Sequence, residues 1–326
     1  MIICQTPLRV SFFGGGTDFP EFFAKHGGAV LSTAIDKYIY HSITHFHSKL
    51  FDYSIRLAYR KVECVNRLAD VEHAPIREIL RRFGIKKDIE VSLAADLPTF
   101  SGLGSSSSFT VGMINSVNAF QGRFVPKTEL AKAAIRMERE TLRETVGFQD
   151  QVIAAYGGLN LVEFSGADKF VVNRVAISKE KMNELEGSLM MFFTGMTRCA
   201  GDMEKSKLNN GAPIKDGLKR MLRLVDKAHA LLTGNGPLCA FGRLLDATWQ
   251  EKRSLSPTIS NPVIDRMHDL ALGAGALGGK LLGAGGGGFM LFFVPQERQA
   301  KVRKALGKHI EVPFSINAPG SRVIHS

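Results

Sequence analysis

Residues 97–109 read LPTFSGLGSSSSF, two glycines and four consecutive serines set between apolar-patterned segments. Three chemistries can be written in such residues: a flexible linker, a serine nucleophile on a tight turn, and a cradle for phosphate. A linker would have polar flanks. Here Ile89, Val91 and Leu93 alternate with Glu90, Ser92 and Ala94 before the stretch, and Phe109, Met113, Val117 and Phe120 recur at helical spacing after it. A nucleophile elbow needs a glycine two residues after its serine, and none of Ser105 to Ser108 has one. The cradle has its parts. Glycines let backbone N–H groups approach an anion, a helix N-terminus adds partial positive charge, and serine hydroxyls donate to phosphate or join a magnesium ion. Each charge-assisted bond of this kind contributes on the order of 1.5–3 kcal/mol. The lysine of a Walker A loop is missing, so the cation must come from elsewhere in the chain.

Two further glycine-rich sites lie far from this one: PLRVSFFGGGTDFPE near the N-terminus, and GGKLLGAGGGGFMLFFV near the C-terminus, which leads into a strand. Each alone reads as a tight turn; three together call for a shared purpose. Around them, segments of alternating and helical period interleave, predicting mixed α and β structure. Residues 29–46 read as one long strand or a strand pair. Residues 125–144, VPKTELAKAAIRMERETLRE, read as a helix capped by Thr128. GFQDQVIAAYGG follows as a short helix between glycines. From about Val175 the texture changes to a charged segment, an apolar strand SLMMFFTG, long helices through Trp249 and a final apolar strand FMLFFV. The expected division is an N-terminal domain over residues 1–180 and a C-terminal domain over 181–326.

With the three motifs taken in order, PLRVSFFGGGTD, PTFSGLGSSSS and KLLGAGGGGF, the sequence resembles the GHMP kinases along its whole length. The resemblance implies an α+β, two-domain fold: an ATP domain like ribosomal protein S5, a ferredoxin-like C-terminal domain, and substrate in the cleft between them. ATP and Mg2+ are the implied cofactors. The loop residues Ser101, Gly102, Leu103, Gly104, Ser105, Ser106 and Ser107 are the implied phosphate seat.

Phosphoryl transfer needs in-line positioning, a metal on the phosphate oxygens and a fixed cation rather than covalent chemistry. By residue type alone Asp150 could be a first-turn helix residue; by the resemblance it is the base that orients or deprotonates the acceptor hydroxyl. Glu138, with Glu140 close by, resembles the magnesium-binding glutamate, joined by the hydroxyl of Ser106 with Ser105 and Ser107 as neighbours. Arg9 takes the position of a catalytic Arg or Lys. Thr17 and Asp18 are expected to meet sugar hydroxyls. Galactokinases carry Glu-His where this chain has Gly15 and Gly16, which argues against galactose. The Gly-Gly-Gly-Thr-Asp form is similar to heptose-phosphate kinases and more loosely to fucose kinases, so a fucose- or galactose-type sugar 1-kinase, or a GHMP-fold protein that binds a sugar phosphate without catalysis, is the alternative expectation. The implied reaction is phosphorylation of the anomeric hydroxyl of D-glycero-D-manno-heptose 7-phosphate to the 1,7-bisphosphate, for nucleotide-activated heptose and surface polysaccharide. FFTGMTR and LLDATWQEKRSLSPTIS fit that branch. They supply Arg198, Lys252 and Arg253 to hold the substrate phosphate, Arg being suited to bidentate recognition. Gly285 and Gly286 complete the expected substrate site.

Composition bounds the alternatives. The 326 residues carry a net charge of +11, which favours anionic partners, but the basic residues are dispersed and no helix-turn-helix, RNA-binding signature or basic tail accompanies them, so nucleic acid is not expected. The four cysteines have neither disulfide-framework nor metal-finger spacing. His41, His45 and His47 would share one face of a strand, a spacing a metal could use, but no cysteine or carboxylate matches it. No apolar stretch has the length of a membrane span or signal peptide, and the expected location is the cytoplasm. A sugar phosphate and ATP are the expected partners.

Overall fold

The computed structural model describes residues 1–166, 168–197 and 211–326, with backbone alone for 211–213. Strand β1 (Ile2–Phe13) pairs antiparallel with the 18-residue β2 (Gly28–His45), a single uninterrupted strand rather than a pair. Helix α1 (Pro20–His26) lies between them in sequence. The other edge of β2 is shared: its first half takes β6 (Leu159–Ser165), and its second half takes β5 (Ile89–Ala95). The short hairpin β3 (Ile55–Ala58) and β4 (Val62–Val65) extends the β5 edge, β7 (Lys169–Arg174) extends β6, and β11 (Arg322–His325) pairs with β1. The result is one eight-stranded sheet. A second sheet has three antiparallel strands in the order β8 (Leu189–Phe193), β10 (Phe289–Phe293), β9 (Gly278–Leu281), with an isolated bridge from Phe192 to Glu311 beyond its edge.

The alternation of side chains along strands assigns the cores. One face of the large sheet packs on helices α2 (Ala74–Arg82), α3 (Ser105–Phe120), α4 (Lys127–Arg136) and α5 (Gln149–Tyr156), through residues such as Val30, Ile43, Val91, Met113, Leu130 and Val152. Its other face, through Leu8, Val10, Phe12, Leu31 and Ile35, packs on the C-terminal half, including helices α6 (Lys179–Gly187), α7 (Gly211–Thr233) and α8 (Cys239–Ser254). Strand β10 serves two cores: Phe289, Leu291 and Phe293 face the large sheet, while Met290 and Phe292 face Trp249 and helices α9 (Pro262–Gly273) and α10 (Gln299–Ala305). Burial on both faces explains the continuous apolar run FMLFF.

Four local readings are corrected. Helix α4 begins after Pro126, and Thr128 lies inside its first turn, where its hydroxyl bonds the Tyr156 hydroxyl at 2.5 Å instead of capping. The same helix does not run on unchanged, for residues Met137–Thr141 form a π turn. The expected apolar stripe of α3 is not its only buried face. Phe109 and Phe120 are half-buried, whereas Ser108, Val111, Ile114 and Ser116 are buried too, because α3 is wedged between the sheet and neighbouring helices. Finally, the chain does not part cleanly into sequential halves. Residues 316–325 return to the large sheet through bridges from Ile316 to Ile35 and Pro319 to Gly157 and through β11.

Candidate active site

Two bulges aim the first strand into a cleft. Between Pro7 and Arg9 the register to β2 shifts, and between Ser11 and Phe13 it shifts again, leaving Phe12 outside the pairing. Bulges re-aim side chains in this way. Leu8, Val10 and Phe12 then pack into the second core while Arg9 and Ser11 line the cleft. Lys280, the first residue of the third motif, is 3% exposed and donates its ammonium to the Ser11 and Phe12 carbonyls, both at 2.7 Å. It thereby ties β9 to the irregular end of β1.

Arg9 is held on all sides. Its Nε donates to Asp150 Oδ1 and its Nη2 to Asp150 Oδ2, both at 2.7 Å, and its Nη1 donates to the Gly102 carbonyl at 2.6 Å. This bidentate fork fixes the carboxylate plane as well as the charge. Asp150 sits in the first turn of α5, and its side chain is 23% exposed toward the cleft. Gly104, at φ +73°, precedes α3, and no side chain caps that helix. A Cβ on Gly104 would stand 3.1 Å from Asp150 Oδ2 and 3.2 Å from Arg9 Cγ, so the loop passes directly over the ion pair.

The serines divide their work. Ser107 donates to Glu138 Oε2 at 2.9 Å, so it is Ser107 and not Ser106 that meets this glutamate; the Ser106 side chain is exposed. Ser105 Oγ accepts from the Phe100 N–H at 3.2 Å, and Ser108 donates to the Pro7 carbonyl at 2.7 Å. Gly102, Gly104 and Ser105 to Ser107 line the cleft. Ser101 and Leu103 do not: both are buried, Leu103 in the second core, and its carbonyl accepts from the Arg9 N–H at 3.0 Å.

The π turn places Glu138 fully inside and leaves Glu140 exposed, separating the two glutamates. Desolvation pushes the Glu138 carboxyl up to about 7, against the opposing hydrogen bonds of Gln151, Thr110 and Ser107. Its Oε1 is buried without a partner among the described residues. Desolvation, with Asp150 nearby adding to it, likewise raises Asp18 to about 6. Asp18 lines the cleft and accepts from the Gly16 N–H at 2.9 Å and the Gln149 N–H at 3.2 Å. Lys280 is pushed the other way, down to about 7, by desolvation and then by the Arg9 charge.

Several expected site residues go elsewhere. Thr17 is fully buried, and its hydroxyl donates to the Gly14 and Ala29 carbonyls, so it builds the turn instead of facing a ligand. Lys252 lines the cleft but directs its ammonium to the Leu281 and Gly283 carbonyls, at 2.9 and 2.5 Å, which anchors the third glycine loop. Arg253 is exposed and pairs with Asp265 at 3.5 Å, away from the cleft lining. Gly15, Gly16 and Gly285 line the cleft; Gly286 instead donates to the Ile259 carbonyl. Arg198 lies outside the described residues. Of the three histidines, His41 is buried beside Gly112 and driven by desolvation down to about 3. Among the described residues no cluster of three His, Cys, Asp or Glu could hold a metal ion, and no helix is long and apolar enough to cross a membrane.

Sequence reasoning missed Ser11, Gln149, Gln151 and Lys280. All four lie in or beside the stretches already singled out, since Ser11 is within the first motif, Gln149 and Gln151 flank Asp150, and Lys280 opens the third motif.

The family model described as the GHMP kinases N terminal domain matches residues 71–158, and the GHMP kinases C terminal model matches residues 236–312. The chain is 33% identical to the D-glycero-alpha-D-manno-heptose 7-phosphate kinase of Campylobacter jejuni, over 93% of this chain and 92% of that one. It is 27% identical to the L-fucokinase/L-fucose-1-P guanylyltransferase of Bacteroides fragilis, over 98% of this chain but only 36% of the relative. A crystal structure of a D-glycero-D-manno-heptose 1-phosphate kinase from Bacteroides thetaiotaomicron superposes with a TM-score of 0.81 over the whole of both chains at 24% identity. That likeness is one of fold.

Proposed function

The chain is a member of the GHMP kinases, and from that footing we propose that it transfers the γ-phosphoryl group of ATP to the anomeric hydroxyl of D-glycero-D-manno-heptose 7-phosphate. The observation that carries the reading is the Arg9–Asp150 fork beneath the glycine–serine loop, in a cleft lined from both halves of the chain. In this reading the uncapped N-terminus of α3 and the loop amides seat the phosphates. Asp150 accepts the proton of the sugar hydroxyl as its oxygen forms the new bond to phosphorus, and the bond to the leaving ADP breaks in line. Arg9 keeps the carboxylate aimed and supplies the cation that the loop lacks. Asp18 is the residue proposed to meet sugar hydroxyls.

The residues present fit a magnesium ion. Glu138 Oε1 is a buried oxygen without a hydrogen-bond partner among the described residues, and the Ser107 hydroxyl lies beside the same carboxylate. Magnesium is commonly held by one or two carboxylates together with substrate phosphates. The ion would neutralise charge on the phosphate oxygens. We assign Glu138 and Ser107 to hold it.

The named sugar rests on the Campylobacter relative and on the Gly14 to Asp18 turn. A fucose 1-kinase is the second reading, supported by the Bacteroides relative that matches nearly all of this chain. An assay of ADP release with magnesium-ATP separates them, using heptose 7-phosphate, fucose, galactose and mannose in parallel. The proposal expects the heptose phosphate to give the highest kcat/KM. Preference for an unphosphorylated sugar would overturn it, and ATP turnover with none of them would overturn the kinase reading altogether.

A further inference from the structure

Ser11 and Gln149 stand on either side of Gly15 in the cleft and take no part in the phosphoryl-transfer chemistry assigned above. An ideal Cβ on Gly15 would lie 3.6 Å from Ser11 Oγ and 3.6 Å from Gln149 Nε2. The residue Ser11 is 5% exposed. Its Oγ and the Gln149 Oε1 are both buried without a hydrogen-bond partner among the described residues. All three residues line the cleft. Buried polar atoms are nearly always paired in a folded protein, so two orphans on side chains that border one glycine at the wall of a ligand cleft call for a partner that arrives with the ligand.

Their position says which part of the ligand. Ser11 is two residues from Arg9 on the same face of β1, held there by the Lys280 bond to its carbonyl, and Gln149 directly precedes Asp150. Both therefore border the place where the acceptor hydroxyl meets its base. The chemistry says what kind of group. A serine hydroxyl and a carboxamide are neutral and each can both donate and accept, whichever way the amide is turned. A sugar hydroxyl also does both. A phosphate would find an acceptor oxygen facing it.

We propose that Ser11 and Gln149, with Gly15 between them, form a slot that reads the hydroxyl neighbouring the acceptor on the sugar. This rests on the sugar kinase reading and adds its specificity-determining residues. Gly15 matters because its bare Cα leaves the slot open; its backbone is not in the left-handed region, so a side chain there would fill the slot without backbone strain.

The test is steady-state kinetics with heptose 7-phosphate and ATP varied separately, alongside thermal unfolding of the full chain without ligand. Ser11→Ala and Gln149→Met are each expected to raise the sugar KM roughly tenfold and leave the ATP KM within about twofold. Unfolding temperatures should hold or rise, because each change removes a buried polar atom that has no partner among the described residues. Gly15→Ser is expected to raise the sugar KM while also stabilising the free protein. A sugar KM that stays unchanged in both truncations overturns the slot, as does an equal rise for sugar and ATP. If the wild-type chain phosphorylates no sugar, the kinase reading falls by itself. Calorimetric binding of heptose 7-phosphate then judges the slot: weaker binding by the variants sustains it, and equal or undetectable binding in all forms overturns it.

Discussion

Gly102 and Gly283 lie backbone to backbone: a Cβ on Gly283 would fall 2.4 Å from the Gly102 Cα, and a Cβ on Gly102 would fall 2.5 Å from the Leu282 carbonyl oxygen. The second and third glycine motifs, separated by most of the chain, thus form a single crossing at the cleft. Gly288 repeats the theme, its Cβ position being 2.2 Å from the Ser101 carbonyl oxygen. Glycine serves here for close approach as much as for its positive φ.

Substituting alanine at Gly102 or Gly283 is therefore expected to cost more than about 2 kcal/mol, because the clash is with backbone and neither loop can yield alone. Gly122→Ala is the control. It shares a positive φ of +71° but has nothing within 4 Å, so only the backbone penalty of about 1 kcal/mol is expected. Chemical denaturation of the three variants checks the ordering.

Glu138→Gln should reduce kcat and raise the magnesium concentration needed for activity, yet make the free protein more stable above neutral pH. The sign follows from the raised carboxyl. Between the ordinary glutamate range and about 7 the folded state holds a proton that the unfolded state has released. Stability contributed by this group accordingly falls as pH rises through that window, and the full penalty, on the order of 3 kcal/mol, is present above it. Unfolding curves at pH 5 and pH 8 should show the variant gaining far more on wild type at the higher pH.

With Glu138 as the proposed magnesium ligand, binding of the ion would displace that proton. Apparent magnesium affinity should rise with pH up to about 7 and level off beyond it, and calorimetry in buffers of different ionisation enthalpy should record proton release near pH 6. A flat pH profile would mean that Glu138 is not the ligand.

Arg253→Ala should leave discrimination between phosphorylated and unphosphorylated sugar unchanged, since its guanidinium faces Asp265 on the surface. Lys252→Met should weaken ATP and sugar together by loosening the carbonyls of the third loop. Paired KM measurements on both sugars distinguish a phosphate contact from a loop anchor.

Much of this was legible in the sequence. The strand–glycine–serine–helix order around residue 104 is present as read and lines the cleft, and apolar periodicity located β5, β8 and β10. Assigning Asp150, Arg9 and Glu138 needed the resemblance to a family, because nothing local distinguishes a base from a first-turn aspartate or one of two nearby glutamates. What stayed hidden depended on geometry that spacing does not carry. The π turn buries Glu138 and leaves Glu140 exposed, and the rotation of α3 sets Ser107 rather than Ser106 against Glu138. Thr17, Lys252 and Arg253 have the residue types of ligand contacts, but their polar atoms bond to nearby carbonyls or a surface carboxylate.

Phosphorus NMR of the reaction of heptose 7-phosphate with magnesium-ATP shows whether the Arg9–Asp150 pair serves an anomeric hydroxyl, as proposed. Wild type should produce a second phosphate on the anomeric carbon. Asp150→Asn should form the same product at a rate lower by roughly 10²–10⁴ with ATP affinity little changed. A phosphate on another position, or near-normal turnover by the variant, would mean that Asp150 is not the base for an anomeric hydroxyl.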